Sequence, residues 1–308
     1  MIGYSDVKVN GGTYFACGGG GKVSKGQISG GTPVDLNTGI IEDLFALSVK
    51  GNLIVAVGGL NNMQVILRSD NGGSSFTVPR RVVGPFLFAV QMVSALVGYA
   101  CGEGGTILKT TDGGLNWNPI TTGALTPFDS VKFQDETHGV IAGGSKVVYK
   151  TDNGSTFTLV ENGTAMDPDV YALDSDRSQL IGVGSEGFIR TSALDGSGQA
   201  ERNVGVNDLY GVAVAANGAL VACGKNATML RSPDGGANWQ GPNGVPQAHI
   251  AAVAFDPSNL NDGVCCGDHD WTISVSRNAG QDWSTVIGAQ PLAPPTSPAV
   301  AAPSRKKK

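Results

Sequence analysis

No run of apolar residues in this chain approaches the about 20 needed to carry a helix across a bilayer, so no membrane span is expected. The first ten residues, MIGYSDVKVN, hold no apolar signal core, and an unexported, intracellular chain is expected. Charge is scarce: Asp, Glu, Lys and Arg make up 15% of the 308 residues. Four of the basic residues, Arg305, Lys306, Lys307 and Lys308, sit together at the C-terminus, which leaves the body 17 basic against 26 acidic groups, a net −9. Phosphate binding needs a basic footprint, so the body is not expected to bind nucleic acid. Histidine is nearly missing, with three copies, and the densest set of metal-ligating types is Asp268-His269-Asp270. Three adjacent residues converge on one ion only through a special bend, and no other His or Cys is spaced to complete a site. Neither a metal nor a cofactor is expected.

What the chain does have is glycine, 46 residues of it, with 41% apolar residues and almost no helical patterning. That composition suits short strands, buried on both faces and joined by tight turns. Five cysteines are present, and Cys17, Cys101, Cys223 and Cys266 each precede the Gly that ends a short apolar run, where other runs carry Val57, Ala142 and Val183. They interchange with small apolar residues, and equivalent points of successive repeats lie too far apart to be bridged within about 7 Å. Free buried thiols are therefore expected.

The segment Thr110-x-Asp112-Gly113-Gly114-x-x-Trp117 recurs as Ser232 to Trp239 and more loosely as Ser69 to Phe76, Lys150 to Phe157 and Ser276 to Trp283. The closing aromatics Phe76, Trp117, Phe157, Trp239 and Trp283 lie 41, 40, 82 and 44 residues apart, and 82 is two steps of 41. A period of about 40 residues built from short strands is the mark of propeller blades. The chemistry of each copy is that of a turn. Asn71, Asp112, Asp152, Asp234 and Asn278 supply side-chain oxygens for nearby backbone N–H groups, Gly supplies positive φ, and the aromatic pins the turn to the sheet. Seven segments align as first strands, namely Tyr4 to Val9, Leu44 to Val49, Leu87 to Met92, Phe128 to Phe133, Val170 to Ser175, Leu209 to Val214 and Ile250 to Phe255. Six have a small third residue, as the crowded strand nearest a propeller axis requires. An all-β, seven-bladed β-propeller of four-stranded antiparallel blades is expected over residues 1–287, followed by a disordered Pro/Ala-rich tail with a basic end over 288–308.

The repeated turn resembles the Asp-box, or BNR, repeat, in which it links the third and fourth strands of a blade. Gly102 to Gly114, together with Phe133-x-Asp135-x-x-His138-Gly139, is similar to the repeats of the photosystem II stability/assembly factor family. That resemblance implies a non-enzymatic scaffold that holds a protein partner during assembly. Asp-box repeats also occur in sialidases, but the arginine motif of those enzymes is missing, since Arg80-Arg81 is the only adjacent pair before the tail. Glu103 and Glu186 can be nominated as the facing carboxylates of another glycosidase class. The run Gly18 to Lys22 is no phosphate loop, because Val23 stands where Ser or Thr is needed and no helix follows.

The reading is a non-catalytic β-propeller scaffold for protein–protein interaction. Its alternatives are a glycan-binding or glycosidase propeller and a structural or adhesive module of a larger particle such as a virion. In a meander the second-to-third turns and the blade-joining loops share one face, opposite the repeated turns. That face is the expected binding surface, carrying Glu103, Lys146, Glu186, Lys225, Asp268, His269, Asp270 and Trp271, with Arg80, Arg81 and Phe86 in the second blade-joining loop.

Overall fold

Each of the seven aligned segments opens a blade. The computed structural model describes residues 3–286 apart from 177, 206, 246–248 and 268–270. The first strands are Tyr4–Asn10, Asp43–Lys50, Leu87–Met92, Phe128–Phe133, Val170–Ser175, Leu209–Val214 and Ile250–Asp256, each within a residue or so of its expected bounds. Every blade is an antiparallel meander running outward from its first strand, and six blades have four strands. In blade six three strands pair fully, and the place of the fourth is held by a single bridge between Arg231 and Gln240. The tail expected at 288–308 lies outside the described residues.

Packing follows from strands that are apolar on both faces. Seven hydrophobic clusters fill the molecule, and each lies between two neighbouring blades. One cluster joins blade one to blade seven through Tyr4, Val7, Tyr14, Val264 and Ile273, and so closes the ring. Burying one such aliphatic side chain is worth about 1.5–3 kcal/mol, so each junction is chiefly a hydrophobic contact.

Small residues meet their purpose at the second strand's end. A Cβ at Gly58, Gly102, Gly143, Gly184 or Gly224 would sit on the carbonyl oxygen of the residue that leads into the innermost strand. The sheet can close there only without a side chain. The cysteines one step earlier are buried and free, as are all five. Burial pushes the Cys265 thiol up to about 12 and raises Cys17, Cys223 and Cys266 as well.

The repeated turns hold by the bonds their sequence foretells. In blade three, Thr110 Oγ1 accepts from Gly114 N at 3.0 Å, while Asp112 Oδ1 accepts from Leu115 N at 3.1 Å and Asn116 N at 2.9 Å. Trp117 is buried and its indole N–H donates to Gly114 O at 3.1 Å. Ser232/Asp234/Trp239 and Ser276/Asn278/Trp283 repeat this arrangement, and Asn71 Oδ1 accepts from Ser75 N ahead of Phe76. Blade four differs from expectation. There Thr151 Oγ1 accepts from Gly154 N and Asn153 Oδ1 from Ser155 N and Thr156 N, while Asp152 is exposed and faces Lys150 at 3.6 Å. The turn before Phe157 is one residue shorter, which moves the accepting side chain from position 152 to 153.

Basic residues beside these turns latch successive blades. Arg68 Nε donates to Gly113 O, Lys109 Nζ to Gly154 O, Arg231 Nε to Ala279 O and Arg277 Nη2 to Ile28 O, all at 2.7–2.8 Å. Lys25 reaches Gly72 O at 3.5 Å, Lys150 faces Asp195 at 3.6 Å and Arg202 donates to Ala237 O. Every junction thus carries one cation aimed at the next blade's outer turn.

Candidate functional site at the channel mouth

The innermost strands enclose a central channel of about 1260 Å³. At one opening, the end with the second-to-third turns, the same irregularity recurs in all seven blades. Register slips between the first and third residues of each innermost strand, as between Leu44 and Ala46 or Phe128 and Ser130. The second residue is left unpaired, a β-bulge, so two consecutive side chains turn toward the axis. The third is small in six blades, which makes room, and is Asp6 in blade one. The second residues are Ser5, Phe45, Phe88, Asp129, Tyr171, Tyr210 and Ala251, and all line the channel.

Four of the seven are aromatic and form two groups. Phe45 lies 5.9 Å from Phe88 and 6.1 Å from Phe86, centroid to centroid, and Tyr171 lies 6.2 Å from Tyr210. Beside the tyrosines stand the carboxylates of Asp129, Asp169 and Asp208. Burial first, and then the negative charges of Asp169, Asp208 and Asp129, push the Tyr171 hydroxyl well above the ordinary tyrosine range. Asp169 and Asp208 also brace the turns, since Asp169 Oδ1 accepts from Ser145 N at 2.7 Å and Asp208 Oδ1 from Glu186 N at 3.1 Å. Asp43 does the same for Gly20 N at 2.8 Å. The lysines lining the channel among the described residues, Lys8, Lys50 and Lys132, stand at or beyond the fifth place of their strands, away from this opening. Lys132 is paired with Asp174 at 2.5 Å and Lys8 with Asp6 at 2.5 Å. The wall of the opening is aromatic and acidic, the channel-lining lysines stand deeper, and Lys146 and the exposed Lys225 sit on the surrounding turns.

The surface expected from sequence is only partly available. Glu103, Lys146, Glu186 and Lys225 do sit in second-to-third turns, and Glu186 and Lys225 are exposed. Glu103 is spent on its neighbour, accepting from Phe86 N at 3.0 Å. Lys146 is held by Glu201 at 2.8 Å and Asp167 at 3.6 Å, and its ammonium lies over the Phe188 ring. Arg80 and Arg81 are not in a blade-joining loop: they belong to the outermost strand of blade two, Thr77–Val83, which runs farther than its sequence suggests. There Arg80 donates to Gln64 and Arg81 pairs with the buried Glu42. Phe86 is buried core. Trp271 is part-buried at the closure of the ring, edge-on to Tyr4 at 4.9 Å with Lys22 Nζ 4.6 Å above it. Asp268, His269 and Asp270 lie outside the described residues. Among the described residues no group of three or more His, Cys, Asp or Glu side chains is placed to hold a metal, and no helix is long and apolar enough to cross a membrane.

Sequence reasoning missed the bulge residues. The alignment that exposed the small third position contains the signal one column earlier, where Phe45, Phe88, Tyr171 and Tyr210 recur.

No protein-family profile matches this chain, and no curated protein matches it. Solved structures do. YCF48 bound to D1 peptide superposes with a TM-score of 0.69 at 17% identity, over 87% of this chain and 91% of that one. YCF48 from Cyanidioschyzon merolae gives 0.66 at 17%, over 87% and 94%. The GH74 enzyme of Niastella koreensis gives 0.71 at 16% identity over 92% of this chain but 54% of its own, so the chain spans about half of that enzyme. At these identities the likeness is one of fold.

Proposed function

We propose that this chain is a non-catalytic propeller scaffold that binds a protein partner as an extended peptide laid across the channel mouth. The observation that carries the reading is the recurrence of an aromatic bulge residue in four of seven innermost strands, at one opening of the channel. Aromatic side chains bury large areas with few rotors to freeze and supply much of the affinity at such surfaces. The exposed Glu186 and Lys225 would form a polar rim. YCF48, a propeller of the same fold, has been solved with a bound peptide, and this supports a protein ligand for the present chain. The five repeated turns are read here as Asp-boxes that brace the blades and take no part in binding. The test is a peptide array probed with the wild-type chain and with Phe45→Ala/Tyr210→Ala. Array peptides retained by the wild type should bind the double variant at least about tenfold more weakly, the loss of one true hot spot being about 2 kcal/mol. Equal binding by both chains would place the functional surface elsewhere.

A further inference from the structure

The mouth combines the half-buried rings of Phe45, Phe88 and Tyr210 with the carboxylates of Asp129, Asp169 and Asp208, against one exposed rim cation among the described residues, Lys225, and the chain itself carries a cationic segment. Strands alternate direction within a blade, so the outermost strand of blade seven, Ser284–Val286, ends on the same side as the opening lined by Phe45, Phe88, Tyr171 and Tyr210. The sequence continues past Val286 with residues 287–308, which include Arg305, Lys306, Lys307 and Lys308. Reach is no obstacle. Three strand spacings of about 4.8 Å separate the outermost from the innermost strand, about 14 Å in all. The 18 residues from 287 to 304, five of them proline, would cover about 56 Å at about 3.1 Å per residue in a polyproline-type extension.

Resting on the reading of the mouth given above, we propose that the Arg305–Lys308 segment of the chain's own tail docks in the channel mouth and competes there with the protein partner. A guanidinium or ammonium group over the half-buried Tyr210 ring, beside carboxylates, gains both cation–π and ionic attraction. Asp129, Asp169 and Asp208 supply the charge, while the deeper Lys8 and Lys132 oppose entry beyond the mouth. Tethering removes the need for high affinity. A linker of this length holds its end at roughly millimolar effective concentration, so a site with a Kd of about 1 mM for the free segment is half filled in the intact chain. A partner peptide then meets a mouth that is already partly occupied.

The experiment uses a fluorescent synthetic peptide of residues 297–308 and the full-length chain in two forms, wild type and one with Arg305, Lys306, Lys307 and Lys308 all replaced by Ala. The neutral-tailed chain should bind the peptide at least about twofold more tightly than wild type, the factor that half occupancy implies. Tyr210→Ala or Asp169→Asn in the neutral-tailed background should abolish that binding, with Asp129→Asn as a second charge variant that preserves shape. Circular dichroism would confirm that each variant is folded. Identical binding by wild-type and neutral-tailed chains, or binding that ignores Tyr210 and the two aspartates, overturns the proposal. So does gain on neutralising the tail that appears only at chain concentrations where wild type self-associates, because the occupant would then be a second copy. If the mouth variants weaken array peptides but the tail peptide never binds, the tail proposal falls alone. If they change the binding of no peptide, the reading of the mouth falls with it.

Discussion

Asp112 shows how much a single side chain can organise. Its carboxylate accepts from the backbone N–H and the side-chain amide of Asn116, and these bonds, with help from Thr110, hold it at about 2, below the ordinary carboxylate value. Asp234 is likewise held at about 2 by Asn238. A carboxyl whose pKa is lower in the folded than in the unfolded chain adds stability that is complete above about pH 4 and is lost as pH falls toward 2. Asn71, Asn153 and Asn278 hold the equivalent turns without titrating. Asp112→Asn should therefore keep the turn and flatten the acid limb of a melting-temperature profile between pH 4 and 2. An unchanged limb would show that the turn does not couple to folding. Trp117 is the apolar half of the same device, and Trp117→Ala is expected to cost about 3–5 kcal/mol in urea unfolding, like other buried aromatic truncations. Gly143→Ala is expected to cost about 1–3 kcal/mol because its methyl would meet Pro127 O, a backbone atom that cannot swing aside.

At the scale of the strand and turn, the bulge in each innermost strand decides what the molecule offers to a ligand. A regular strand would send Phe45 and Ala46 to opposite faces; the slipped register between Leu44 and Ala46 sends both to the channel. The aromatic column precedes the small third position in the alignment but is filled in only four of the seven strands, and strict alternation would turn it away from the channel, which is why it escaped a sequence reading that found the strands themselves. The second-strand glycines and the turn aromatics were legible because each is imposed by a local steric or hydrogen-bond need. Arg80 and Arg81 were misplaced for the opposite reason: an outermost strand with one solvated face reads like a loop. The basic latches were also invisible, since their partners lie a blade away and six of the seven are backbone carbonyls. Arg68→Ala and Arg231→Ala should each cost about 1.5–3 kcal/mol, the range of hydrogen bonds to a charged donor, whereas Lys25→Ala, at 3.5 Å from its acceptor, should cost far less. Equal costs for all three in urea unfolding would mean that the side chains' apolar stems, not their charges, join the blades.

The whole molecule is a ring, and its weakest logical point is the seam where the last blade meets the first without chain continuity. Arg277 bonds Ile28 O there, Asp256 accepts from Gly12 N, and Tyr4 packs against Trp271. Loss of the Arg277 bond should open the seam before the blades unfold, so Arg277→Ala is expected to raise amide exchange in Tyr4–Asn10 and Ile250–Asp256 more than in Phe128–Phe133. Uniform exchange across the three strands would indicate that the ring unfolds as one unit. The sevenfold repetition gives both openings of the channel a similar frame, and the half-buried bulge aromatics Phe45, Phe88 and Tyr210 distinguish one of them from the other, where Phe133 and Phe255 are buried. The measurement that bears most directly on this account is therefore a comparison of faces. Peptides selected from an array by the wild-type chain are titrated against Phe45→Ala/Tyr210→Ala, at the mouth, and against Leu115→Arg, on an exposed repeated turn at the opposite side. The account expects at least about a tenfold loss at the mouth and none at the turn; loss at the turn with full binding by the mouth variant would contradict it.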